Sequence, residues 1–102
     1  MENVENKNSI KTLYLSNQGL SELPDLSEYK NLQYLYCSNN NISEISIIPD
    51  TVEFLFCSKN KLSKLPKLPK SLKKLSCDYN DLPYTNLEEY NKWQSKFSIK
   101  YL

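Results

Sequence analysis

Residues 72–83 read LKKLSCDYNDLP, a leucine, a second leucine three places on, a cysteine two further, an asparagine three after that, then Leu82 and Pro83. Twenty residues earlier, 52–63 read VEFLFCSKNKLS, and twenty before that 32–43 read LQYLYCSNNNIS. A fourth copy begins 22 residues further back, with 10–21 reading IKTLYLSNQGLS. Four copies in register over residues 10–82 establish an internal repeat, and a repeat this short is one supersecondary unit that buries its apolar side only by stacking on its neighbours. Within each unit the fourth and sixth positions alternate to one face of a short strand. Strands stacked side by side at about 4.8 Å give a parallel sheet with those residues as one continuous core.

That core is Leu35 and Cys37, Leu55 and Cys57, Leu75 and Cys77, with Leu13 and Leu15 in the first copy. Asn40, Asn60 and Asn80 stand where each strand ends and the chain turns. An amide there satisfies backbone groups that the turn would leave without partners. Gln18 holds the place in the first copy, beside Gly19, which predicts a looser turn. The return limb 62–69 reads LSKLPKLP, and Pro66 and Pro69 forbid a helix in so short a span. Extended, polyproline-like backbone is expected there.

The ends depart from the pattern. Residues 1–9 form a polar segment, 10–83 hold the four repeats, and 84–102 are expected to cap them. Leu87, Tyr90, Trp93 and Phe97 fall near one face of a helix over about 87–96. The Ile99–Leu102 spacing predicts a truncated closing strand at about 98–102.

The run 65–80, LPKLPKSLKKLSCDYN, resembles the 20-residue LPxLPxSLxxLxxxxN repeats of secreted bacterial leucine-rich-repeat effectors. The cysteine form LxxLxCxxN is similar to short leucine-rich-repeat proteins of giant DNA viruses. The resemblance covers about residues 10–83. It implies an α/β leucine-rich repeat solenoid with a parallel sheet on its concave face, an irregular convex side and a short C-terminal capping helix. It also implies recognition of another protein through the concave sheet. Some family members carry a C-terminal ubiquitin-ligase domain with a catalytic cysteine. No cysteine follows the last repeat here, so that activity is not carried over.

Positions three and five of each copy flank the core residues and point to the opposite face. They are Thr12 and Tyr14, Tyr34 and Tyr36, Phe54 and Phe56, Lys74 and Ser76. Tyr14, Tyr34, Tyr36, Phe54, Phe56 and Lys74 are the candidate partner-binding residues, since contiguous exposed aromatics mark interaction surfaces and are enriched at binding hot spots. The competing reading is that the rings stack along the ladder and only stabilise the sheet. Ser16, Ser38, Ser58 and Asp78 would form the polar margin.

The 102 residues suffice for one domain, with 39% hydrophobic and 25% charged. Thirteen lysines and twelve acids give a net charge of +1, with no arginine and no histidine. The usual bidentate reader of phosphate, the commonest general base and the commonest metal ligand are thus missing. Gly19 is the only glycine, which leaves no phosphate loop. The reading is of a non-enzymatic chain without cofactor or metal, binding neither nucleic acid nor membrane. Cys37, Cys57 and Cys77 could form a metal or disulfide column, but they share the position of Leu15 and have no fourth ligand, so they read as packing. An odd cysteine count and a polar N-terminus without a secretory core favour a cytoplasmic setting. Charge is uneven: residues 1–58 hold three lysines and eight acids, 59–77 hold seven lysines and no acid. A second class of function is therefore structural, a homodimer or short stack through exposed end strands and polarised charge.

Overall fold

The computed structural model describes residues 6–100, the last four of them by backbone alone. In chain order they form a 3-10 turn at Lys7–Ser9, strands β1 (Thr12–Tyr14), β2 (Tyr34–Tyr36), β3 (Phe54–Phe56) and β4 (Lys74–Ser76), then helix α1 (Leu87–Lys100). The strands make one parallel sheet in sequence order. Leu13 pairs with Leu35, Leu35 with Leu55 and Leu55 with Leu75, so equivalent repeat positions lie side by side.

Parallel strands need a crossover between them. Here the crossovers at 15–33, 37–53 and 57–73 contain neither helix nor strand. Each reverses at a turn just before the next strand: Tyr29 N–H donates to the Leu26 carbonyl, Val52 to Pro49 and Leu72 to Pro69, each at 3.1 Å. Proline opens two of these turns at no cost because the turn uses its carbonyl and not the N–H it lacks. Side chains pin the turns to the preceding coil. Thr51 Oγ1 donates to the Leu32 carbonyl at 2.6 Å, and Ser71 Oγ to the carbonyl of Val52 at 2.8 Å and of Asp50 at 2.7 Å.

The core runs along the stack. Leu32, Leu35, Cys37, Ile42, Val52, Leu55, Cys57 and Leu62 are fully buried, and Leu75 and Cys77 nearly so. The first coil is different: Ile10, Leu13, Leu15 and Leu20 hold the same positions and are only partly buried.

The other end is covered. Asn86 caps α1, its Oδ1 accepting from Glu89 N–H at 2.9 Å. Glu89 Oε1 in turn accepts from Thr85 N–H at 2.8 Å and Thr85 Oγ1 at 2.9 Å. Tyr84 and Tyr90 are buried against the last coil, with Trp93 half-buried beside them. The Tyr84 ring meets Tyr90 edge-on at 5.0 Å and Trp93 at 5.2 Å.

Two expectations about the ends are corrected. The helix expected over about 87–96 continues to Lys100, so no closing strand forms at 98–100. No proline or glycine follows Pro83 to stop the helix. A 20-residue step from β4 also lands on 94–96, already inside α1. Tyr101 and Leu102, like residues 1–5 of the N-terminal segment, lie outside the described residues. The second correction concerns exposed strands at both ends. The outer edge of β4 is engaged, because Ser76 bridges Asn86 in antiparallel fashion and Cys77 N–H donates to the Thr85 carbonyl at 2.9 Å.

Candidate functional site

The sheet face opposite the core carries two columns of rings set by the strand register. In one, Tyr34 stacks on Phe54 at 4.7 Å with planes 4° apart. In the other, Tyr14 lies on Tyr36 at 5.1 Å and Tyr36 on Phe56 at 4.8 Å, tilted by 11° and 7°. These spacings match the inter-strand distance, so the backbone ladder itself brings the rings into contact. Lys74 ends the arrangement, its Nζ 5.9 Å from the centre of the Phe56 ring. Stacking half-buries Tyr34, Tyr36, Phe54 and Phe56, whereas Tyr14 at the open end is 72% exposed. The face therefore presents ring edges and tyrosine hydroxyls more than ring planes.

The asparagines fix the strand ends below this face. Asn40 Oδ1 accepts from the N–H of Gln18 at 3.1 Å and Leu20 at 2.9 Å, and its Nδ2 donates to the carbonyls of Leu15 (2.9 Å), Cys37 (3.0 Å) and Ser38 (3.3 Å). Asn60 and Asn80 repeat the pattern one and two coils on, accepting from Ile42 and Leu62 and donating to Cys37 and Cys57 and to Cys57 and Cys77. Asn40 is buried and the other two are half-buried. Each ties its own coil to the preceding one.

Next along the chain, Ser16, Ser38, Ser58 and Asp78 form a polar ladder. Ser38 N–H donates to Ser16 Oγ and Ser58 N–H to Ser38 Oγ, each at 3.1 Å, and Ser58 Oγ donates to Asp78 Oδ1. Sequence reading missed the column that follows. Asn17, Asn39, Lys59 and Tyr79 all have left-handed backbone, with φ of 60°, 57°, 57° and 56°. Asn17 and Asn39 signal it, because asparagine tolerates that region; Lys59 and Tyr79 hide it. Thr51 and Ser71, which pin the turns, were missed as well.

Cys37, Cys57 and Cys77 are free and buried. Burial pushes the Cys37 and Cys77 thiols up to about 12 and raises Cys57 too. Protonated thiols are poor nucleophiles and poor metal ligands at neutral pH. Among the described residues no group of three His, Cys, Asp or Glu could hold a metal, and no helix is long and apolar enough to cross a membrane. The seven lysines from Lys59 to Lys74 are all exposed. Lys73 pairs with Glu53 at 3.4 Å, and with the lysine in solvent and the glutamate half-buried the pair contributes little.

Neither the search of curated proteins nor that of solved structures finds a match. Residues 8–50, which span the first two coils, match the family model described as leucine-rich repeats in two copies; with the four-strand parallel sheet and C-terminal helix, this supports a leucine-rich repeat protein.

Proposed function

We propose that this chain binds another protein through the ring-bearing face of its sheet, read as the concave side of the solenoid. Leucine-rich repeat domains generally mediate protein–protein interaction and are typically non-catalytic. The single observation that carries the finer reading is the pair of stacked columns, Tyr14–Tyr36–Phe56 and Tyr34–Phe54. Rings already held against one another have little rotamer freedom left to lose when a partner arrives, and pre-ordering of this kind favours affinity. Tyrosine adds a hydroxyl to each apolar ring, which suits a surface that is wet when free and covered when bound. Lys74 extends the patch with a positive charge, so an apolar segment flanked by a carboxylate fits it best. The three buried thiols favour a reducing, cytoplasmic setting, in the chain's own cell or in a host.

The double variant Tyr36→Ala/Phe56→Ala tests the face. Both side chains are half-exposed, so unfolding should stay cooperative while capture of a specific partner is lost. Lys67→Ala, on the return limb, should leave capture intact. Undiminished capture by the double variant overturns the assigned surface.

A further inference from the structure

We infer that a second copy of this chain covers the open N-terminal end, β1 pairing antiparallel with its counterpart about a two-fold axis to form a closed dimer. The proposal builds on the self-assembly reading and shares only Tyr14, at the edge of the ring face, with the proposed partner site.

The hydrogen bonds show which way β1 is open. In a parallel pair, alternate residues of a strand bond to a given neighbour. Lys11 C=O accepts from Tyr34 N–H at 2.9 Å and Leu15 N–H donates to Tyr36 C=O at 2.7 Å, so Lys11, Leu13 and Leu15 face β2. Thr12 and Tyr14 therefore aim their N–H and C=O groups away from the sheet. Among the described residues no strand lies on that side; the Tyr14 carbonyl accepts only from Gln18 Nε2, at 3.2 Å. An unpaired strand edge is a template for another strand.

Beneath that edge lies an apolar layer. Ile10, Leu13, Leu15 and Leu20 are half-exposed, while Leu32, Leu35, Cys37 and Ile42 at the same positions in the second coil are fully buried. Solenoids ordinarily cap such an end with polar structure. The described structure before β1 is one 3-10 turn, none of whose residues is buried.

Three observations select a second copy as the occupant and limit the assembly to two. An antiparallel pairing that sets Thr12 against the other copy's Tyr14 uses every outward group of β1 in both chains, so the edge is self-complementary. Among the described residues of the first coil, Lys7, Lys11 and Lys30 stand against Glu22, Asp25 and Glu28, so the facing coils present both signs of charge to each other. The seven-lysine stretch lies at the far end of the stack and stays remote in this arrangement. Head-to-tail growth is blocked, because Thr85, Asn86 and α1 cover the β4 end. Among the described residues one end is open and the other closed, which gives a dimer and no filament.

Sedimentation of the full chain over rising concentration tests this. A single step from 12.0 kDa to twice that mass is the expected result. A monomer at every concentration, or a series of larger species, overturns the proposal. Tyr14→Pro removes an outward N–H that makes no bond among the described residues, and proline is tolerated on an edge strand. It should weaken dimerisation at least tenfold while leaving the circular dichroism of the folded chain intact. Should that variant fail to fold, Leu20→Lys places a charge in the apolar layer and should do the same. Lys70→Glu at the far end and Tyr36→Ala/Phe56→Ala on the ring face should both leave the dimer unchanged. A dimer that survives Tyr14→Pro and Leu20→Lys but is lost with Lys70→Glu places the contact elsewhere and overturns the proposal.

Discussion

The first and second coils carry nearly the same pattern, yet the structure uses them differently. Leu35 is fully buried between two neighbouring strands; Leu13, at the same repeat position, has a neighbouring strand on one side only among the described residues and is half-buried. Asn40 bridges two coils with five hydrogen bonds, while among the described residues the Gln18 side chain at the equivalent place reaches only the carbonyl of Tyr14. A repeat residue therefore owes its stabilisation to the interface it sits in more than to the motif it belongs to.

The largest effect should come from breaking this contrast at its centre. Asn40→Ala takes the side-chain partner from the N–H groups of Gln18 and Leu20 and from the Leu15 carbonyl, while the Cys37 carbonyl keeps Asn60 Nδ2 and the Ser38 carbonyl keeps Asn17 N–H. Leaving buried backbone groups unpaired costs about 1–3 kcal/mol each, partly relieved by water at the half-exposed ones, so a loss of about 3 kcal/mol is expected. Gln18→Ala removes one exposed bond and should cost less than about 1 kcal/mol. Urea denaturation of both variants at one dilute concentration measures the ratio. Equal losses would mean the first coil is supported as well as the second.

The repeated strands were legible because period-2 alternation and the asparagine spacing both recur every 20 residues, and the register that stacks Leu35 on Leu55 also stacks Tyr34 on Phe54. The ring columns could thus be placed as neighbours from spacing alone. Their half-burial could not, because it depends on how closely rings 4.7–5.1 Å apart cover one another. End effects were hardest to read. Where α1 stops, and the pairing of Ser76 with Asn86, depend on what lies beside the last coil and not on any repeat position. The Asn86-to-Glu89 spacing did hold a capping signal, which marks the start of α1 and says nothing of its end.

A second contrast between the coils is chemical. Cys37, Cys57 and Cys77 occupy the place that Leu15 fills in the first coil, so thiol-linked alkaline sensitivity should reside in the second, third and fourth coils. Burial holds the folded thiols up, two of them at about 12, against a usual thiol value of 9.0. Below pH 9 both folded and unfolded chains keep these protons, and the stability they contribute is fully present. Above it the unfolded chain ionises first, and stability falls until the folded Cys37 and Cys77 thiols titrate at about 12, with Cys57 raised in the same direction. Each thiol should cost up to about 1.4 kcal/mol per pH unit in that window, or about 2 kcal/mol by pH 10.5. Tyr84, buried and raised to about 12, adds to the decline above pH 10. Urea midpoints at pH 7, 9 and 10.5 follow the effect. Cys57→Ala should flatten the slope by one thiol's share, and an unchanged slope would show that the thiols do not drive it.

The smallest effect separates the coils at the turn that ends each strand. All four coils place a left-handed residue there, but the first two use Asn17 and Asn39 and the last two Lys59 and Tyr79. That conformation crowds Cβ against the following carbonyl, at roughly 1–2 kcal/mol for an ordinary residue and less for asparagine. Glycine removes the crowding but adds freedom to the unfolded chain, which offsets about 0.4–1 kcal/mol of the gain. Tyr79→Gly should therefore stabilise by about 0.5 kcal/mol even after losing the approach of Lys59 Nζ to its ring at 5.6 Å, whereas Asn39→Gly should be neutral or slightly destabilising. Paired thermal melts of the two variants read the difference directly. A Tyr79→Gly protein less stable than wild type would show that the exposed ring contributes more through its contacts than its backbone costs, and would make the last coil an exception to the strain that all four turns share.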